Sequence, residues 1–126
     1  MEDEPRDYDR EFTTPLEYRV RRRLGFDTDC GDVVRFVVQL EYHHHGEWQS
    51  VVRYDRDGTD ESEFAHDVTE EGLHIDIYRD GEKEATEYVA PPLRADLALD
   101  RAEDHLLANL ERYITRYERW HGISNR

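Results

Sequence analysis

With 126 residues the chain has the length of one domain, enough to bury a core without a disulfide or a structural metal. It carries 31 Asp and Glu against 17 Lys and Arg, a net charge of −14. Its single cysteine, Cys30, excludes an intramolecular disulfide and a thiolate cluster for zinc, and no apolar run reaches the roughly 18 residues that cross a bilayer. The acidic N-terminus lacks the basic start and apolar stretch of a secretion signal. A reducing, cytoplasmic setting without membrane contact is the resulting expectation.

Sixteen of the seventeen cations are arginine, Lys83 being the only lysine. In dilute buffer a charge of −14 works against the compact state, whereas molar salt shortens the Debye length to about 3 Å and removes most of that repulsion. Arginine is weakly hydrated and forks onto carboxylates, so it keeps useful ion pairs where salt screens loose ones. Acidity and near-absence of lysine together read as adaptation to high salt.

In chain order, residues 1–13 hold six carboxylates and read as a disordered acidic arm, followed by one domain over 14–122 and a short tail at 123–126. Thr14 followed by Pro15 and Glu17 has the form of a capping box, and Leu16, Val20 and Leu24 recur every four residues before Gly25. This pattern predicts a short amphipathic helix. Residues 33–44 alternate, with Val34, Phe36, Val38, Leu40 and Tyr42 on one face. His45-Gly46 can turn the chain into a second strand with Trp48, Val52 and Tyr54 inward. A polar loop follows, then a brief extended piece at 64–68. Leu73, Ile75 and Ile77 alternate next, and Asp80-Gly81 is a strong hairpin signal leading to a last strand at 83–89.

Pro91-Pro92 ends the sheet, after which Asp96 or Asp100 can cap one long helix ending at Gly122, with Asp100 and Glu103 as a second capping box. Its stripe of Leu99, Ala102, Leu106, Leu110, Tyr113 and Tyr117 faces the sheet. The expected fold class is α+β, an antiparallel meander of four to five strands packed on one face by a long C-terminal helix and a short N-terminal helix.

Three groups of residues carry possible chemistry. Arg101, His105, Arg112, Arg116 and Arg119 fall within one sector opposite the apolar stripe, a surface suited to phosphate or an acidic partner segment. Arg21 and Arg22 on the expected first helix extend the basic set. His43, His44 and His45 sit at a hairpin tip, where alternation turns His44 away from the other two and disfavours a shared metal. Arg53 and Asp55 share the outward face of one strand, and His66, Asp67, His74 and Asp76 follow. A histidine oriented by a carboxylate with an arginine beside it is the equipment of general acid–base catalysis on an oxyanion. Two histidines and an aspartate also suit a metal ion, and His-Asp pairs occur as plain surface polarity.

The order of a hairpin, then Arg53-Tyr54-Asp55, a polar loop, His66 and a C-terminal helix resembles the TumE-like toxins of toxin–antitoxin pairs, over about residues 34–110. The His-rich cluster that follows Arg-Tyr-Asp in that family is reduced here to Ala65-His66-Asp67. The resemblance implies a ribonuclease in which Arg53 holds the scissile phosphate, His66 and His74 act as base and acid, and Asp55 and Asp76 orient them. It implies an antitoxin protein and RNA as partners, with no cofactor. The chain is also similar to haloarchaeal proteins of unknown function. The alternative reading is a non-catalytic interaction module, able to form a homo-oligomer, that docks a partner through the sheet or through the arginine ridge.

Overall fold

The computed structural model describes residues 8–57 and 72–123. Among these, six strands form one antiparallel sheet in chain order: β1 (Arg10–Glu17), β2 (Val20–Asp29), β3 (Asp32–His44), β4 (Glu47–Asp57), β5 (Leu73–Arg79) and β6 (Glu82–Ala90). Two helices, α1 (Ala95–Ala108) and α2 (Leu110–His121), follow, with α1 lying across β3 and α2 against β4. The class is α+β as expected, but the sheet is larger and both helices are C-terminal.

The expected N-terminal helix is a hairpin. Leu16, Val20 and Leu24 are spaced by four, which is close to a helical turn and is also an even number, so it satisfies a strand equally well. Phe26 and the β-branched Thr13, Thr14 and Val20 favour the strand. Pro15 lies in β1, an edge strand of the described sheet, where a missing N–H is tolerated. The last residues of the expected acidic arm, from Arg10, belong to this strand as well. Tyr8 just before it is 9% exposed, its ring lying over Gly25 so closely that a Cβ there would stand 2.9 Å from Tyr8 Cδ2.

The expected turns at His45-Gly46 and Asp80-Gly81 form, and Cys30-Gly31 makes a third of the same kind. Each pair is left-handed at both residues, with φ of 57° and 79°, 55° and 81°, and 55° and 87°. Such mirror-image turns match the right-handed twist of the flanking strands. The Tyr18-Arg19 turn differs. Arg19 has φ 66° and no glycine shares the turn.

One extra residue in β4 decides which side chains face which way. Leu40 pairs with Val52 and Glu41 with Ser50, so Val51 is a bulge. Val52 and Tyr54 face the helices as expected, but every residue before the bulge changes side. Trp48, expected inward, is paired with His43 and is 38% exposed.

The expected single long helix is broken at Asn109, with φ −116° and ψ 15°. Its Nδ2 donates to the carbonyl of His105 at 2.9 Å, so the side chain competes with the helical backbone. α1 begins at Ala95 after Arg94, which places Asp100 and Glu103 inside the helix instead of at its cap. Gly122 stops α2 with φ 68°, as expected. The expected stripe also holds: Leu99, Ala102, Leu106, Tyr113 and Tyr117 are buried and Leu110 packs against them, joined by Ala98 and Ile114. They close a core over Phe36, Val38, Leu40, Tyr42, Val52, Tyr54, Ile75 and Ile77. The extended piece expected at 64–68 lies outside the described residues.

Candidate functional site

The sheet face away from the helices is polar yet substantially enclosed. Glu41, 4% exposed, accepts from Arg21 Nε at 2.7 Å, Arg23 Nη1 at 3.2 Å and Gln39 Nε2 at 2.5 Å. Alternation along β2 therefore sends Arg21 and Arg23 to this face and Arg22 to the other, where its Nη2 donates to Thr14 Oγ1 at 3.2 Å. Arg21 and Arg22, expected together on one basic helix, stand on opposite faces and make no common docking ridge.

Four of the five residues expected to form a catalytic group share that polar face. Arg53 and Asp76 are register partners between β4 and β5, with Asp55 and His74 two residues along on the same side. Arg53 Nε lies 3.4 Å from Asp55 Oδ2, and the guanidinium is hydrogen-bonded to Tyr78. Burial pushes the Tyr78 hydroxyl up, with Arg53 opposing. Asp76 is 4% exposed, accepts from Thr86 Oγ1 at 2.8 Å and pairs with Lys83 Nζ at 3.4 Å. The ring of His74 meets Tyr88 edge-on at 5.8 Å. His66 and its neighbour Asp67 lie outside the described residues. What the structure brings together is Arg53 paired with Asp55 beside an Asp76 held by Lys83 and Thr86, an arrangement in which an incoming phosphate competes with Asp55 for Arg53.

The helical arginines divide. Arg112, Arg116 and Arg119, with Glu111 and Thr115, line a depression of about 480 Å3 along α2. Arg112 pairs with Glu87 at 3.8 Å across two exposed side chains. The Arg116 guanidinium lies over Tyr113 at 5.3 Å and Trp120 at 5.2 Å, and its Nη2 is buried without a hydrogen-bond partner. Arg79 approaches the same Trp120 ring at 4.9 Å. Arg101 is exposed on α1, beyond the break. His105, expected on the ridge, is turned toward the core: Nδ1 lies 2.8 Å from the Tyr54 hydroxyl and 3.5 Å from that of Tyr113. Burial, then Arg112 and Arg101, hold its pKa below the usual 6.5, while burial pushes the Tyr54 hydroxyl strongly up.

At the end of the sheet, Tyr18, Arg19, His43 and Trp48 line a cleft of about 410 Å3. His43 N donates to the Arg19 carbonyl at 2.8 Å, which joins the first hairpin turn to β3. The Arg21 guanidinium lies over the Trp48 ring at 4.0 Å, and His43 meets that ring at 5.0 Å. Nearby, His44 and His45 rings are 3.9 Å apart and His44 is 5.5 Å from His121. Among the described residues no group of His, Cys, Asp or Glu has the arrangement to hold a metal ion.

A family model described as a domain of unknown function, DUF7718, matches residues 4–123, nearly the whole chain. The chain belongs to that family. No curated protein and no solved structure matches it. No described helix is long and apolar enough to cross a membrane.

In this DUF7718 chain two features hide the Tyr18–Trp48 cleft in the sequence. Tyr18 and Arg19 sat inside a segment whose even spacing also fits a helix, and Trp48 sat on the wrong side of an unforeseen bulge. The signal that was present is local: Tyr18-Arg19 separates two sets of even-numbered apolar residues, Phe12 and Leu16 before it and Val20, Leu24 and Phe26 after it.

Proposed function

We propose that the chain is a non-catalytic interaction module that docks an acidic segment of a partner protein on the arginine face of α2. The observation that carries this reading is the row Arg112, Arg116 and Arg119 around one depression, in a chain of net charge −14. A carboxylate from a partner pairs with the exposed Arg112 and Arg119 guanidinium groups, and charge-assisted pairing to a guanidinium is among the stronger hydrogen bonds available. Removing central arginine contacts of this kind costs about 2 kcal/mol or more, near thirtyfold in affinity. The test is fluorescence anisotropy with a labelled ten-residue glutamate peptide, comparing the wild type with Arg112→Ala/Arg116→Ala/Arg119→Ala. Binding that survives the triple substitution unchanged removes the face from consideration.

A second reading, a ribonuclease-type toxin with an antitoxin partner, is favoured by the Arg53–Asp76 register pair with Asp55 and His74 on the same face. In it Arg53 holds the scissile phosphate, His66 and His74 exchange protons and Asp55 and Asp76 orient them. Induced expression in a host tolerant of high salt tests it: the wild type arrests growth and His74→Ala does not. Normal growth with the wild type ends the toxin reading. Under either reading we take the protein to be cytoplasmic and adapted to molar salt, on the strength of its charge and its single lysine.

A further inference from the structure

We infer that the cleft of Tyr18, Arg19, His43 and Trp48 is a binding site for single-stranded nucleic acid, taking one unpaired base on its rings and the adjoining phosphate on Arg19. This site is separate from the arginine face of α2 and does not depend on it.

Two large rings stand open here. Tyr18 is 65% exposed and Trp48 is 38% exposed, in a molecule that fully buries Tyr42, Tyr54 and Tyr113. The rings are presented from two different hairpins and held in place by the backbone bond from His43 to Arg19. One face of Trp48 is already occupied by the Arg21 guanidinium, itself fixed by Glu41, so the indole is braced and its orientation set before any ligand arrives. A base stacks on an aromatic face whatever its sequence, because every base has a π-face.

Arg19 supplies the second half. Its guanidinium is exposed, lies 5.3 Å from the Tyr18 ring centroid and is hydrogen-bonded to the Tyr18 hydroxyl. In a chain with 31 carboxylates, Arg19 places a cation at this turn tip. Its backbone is left-handed, a conformation disfavoured by the Cβ of any residue but glycine, and it occupies the second turn position, where the three other hairpin turns have glycine. Arginine at this position puts a charge at the turn tip, where glycine would leave the turn unstrained. Ring and cation together match a nucleotide. The cleft is an open surface and does not enclose a small molecule on most sides, as a site for a free mononucleotide would. A strand, whose neighbouring residues stay in solvent, fits it.

The experiment is anisotropy of a 5′-fluorescein-labelled twelve-residue oligoadenylate titrated with the full chain, and with Tyr18→Ala, Trp48→Ala and Arg19→Gly. Saturable binding to the wild type is expected, weakened roughly 5- to 160-fold by either aromatic substitution, the range that loss of one stacked base gives. Arg19→Gly should weaken binding while raising the melting temperature, because glycine relieves the left-handed strain. A merely structural Arg19 would not move the two readouts in opposite directions. Far-UV circular dichroism confirms that each variant is folded. The inference is overturned if the wild type does not bind, if the three variants bind as the wild type does, or if the same sequence in duplex form binds equally well. Displacement of the strand by decaglutamate at equal concentration would assign the cleft to acidic protein instead. Loss of binding on Arg116→Ala, with none on Arg19→Gly, would move the strand to α2 and leave the cleft empty.

Discussion

His105 shows how a side chain expected on the surface is drawn inward by a single partner. At 100° per residue it falls with the arginines, but Asn109 breaks the helix one turn later and the Tyr54 hydroxyl lies 2.8 Å from its Nδ1. Burial, then Arg112 and Arg101, lower its pKa from 6.5, and His44 is lowered in the same direction by burial, then His45 and His121. The sign of the pH effect follows. Above about pH 6.5 neither the folded nor the unfolded ring holds a proton, and the contact with Tyr54 contributes in full. Below that pH the unfolded chain takes up the proton first, so stability falls with acidification until the folded ring protonates too. Urea unfolding should therefore show a lower midpoint at pH 5.5 than at pH 7.5, and His105→Gln should reduce the difference. A decline of equal size in the variant would mean that His105 does not titrate on unfolding.

The strands of the central hairpin were legible in the sequence because β3 alternates from Phe36 to Tyr42 and an X-Gly turn joins it to β4, although nearer its start a register shift puts Val33 against the core where Val34 was expected. Cys30-Gly31 is chemically the same signal, yet it was hidden because the segment before it fits two periods at once. Parity explains the other misses. A bulge is one residue that alters no composition, and Val51 beside Val52 reads as an ordinary apolar pair, yet it places Trp48 on the polar face. The helical stripe was legible and the break at Asn109 was not, since asparagine within a helix shows its effect only through the carbonyl it reaches. As for the candidate site, the shared face of Arg53, Asp55, His74 and Asp76 followed from alternation alone, whereas the ion pair of Asp76 with Lys83 and its hydrogen bond from Thr86 depended on neighbours that only strand order brings close. The turns allow a direct test. Cys30 is exposed and left-handed at φ 55°, in a position that mirror-image turns fill best with asparagine. Cys30→Asn should stabilise the protein by about 0.5–1 kcal/mol, since asparagine relieves part of a left-handed penalty of about 1–2 kcal/mol. It should also abolish dimers that form through the free thiol in non-reducing buffer. An unchanged melting temperature would show that the turn carries no strain.

Across the whole molecule the arginines do two different jobs, and salt should separate them. Arg21, Arg23 and Arg35 hold carboxylates at 2.7 to 3.2 Å on partly buried surfaces, with Glu41 only 5% exposed in its side chain. Such pairs are shielded from solvent ions and weaken little as salt rises. The remaining acidic surface is exposed, including Asp29, Asp32, Glu47, Glu82 and Glu84, and its mutual repulsion is what a mobile salt atmosphere screens. Raising salt from 0.1 M to 1 M shortens the Debye length from about 10 Å to about 3 Å, so the repulsive part falls away while the enclosed pairs stay. The thermal midpoint should rise steeply over that interval in potassium chloride and flatten above it. A steady rise that continues in proportion to concentration would instead indicate salting-out of apolar surface, which strongly excluded salts such as sulfate produce through a different mechanism. A midpoint that does not move between 0.1 M and 1 M would mean that the charge of −14 imposes no cost on folding, and the case for salt adaptation would fail with it.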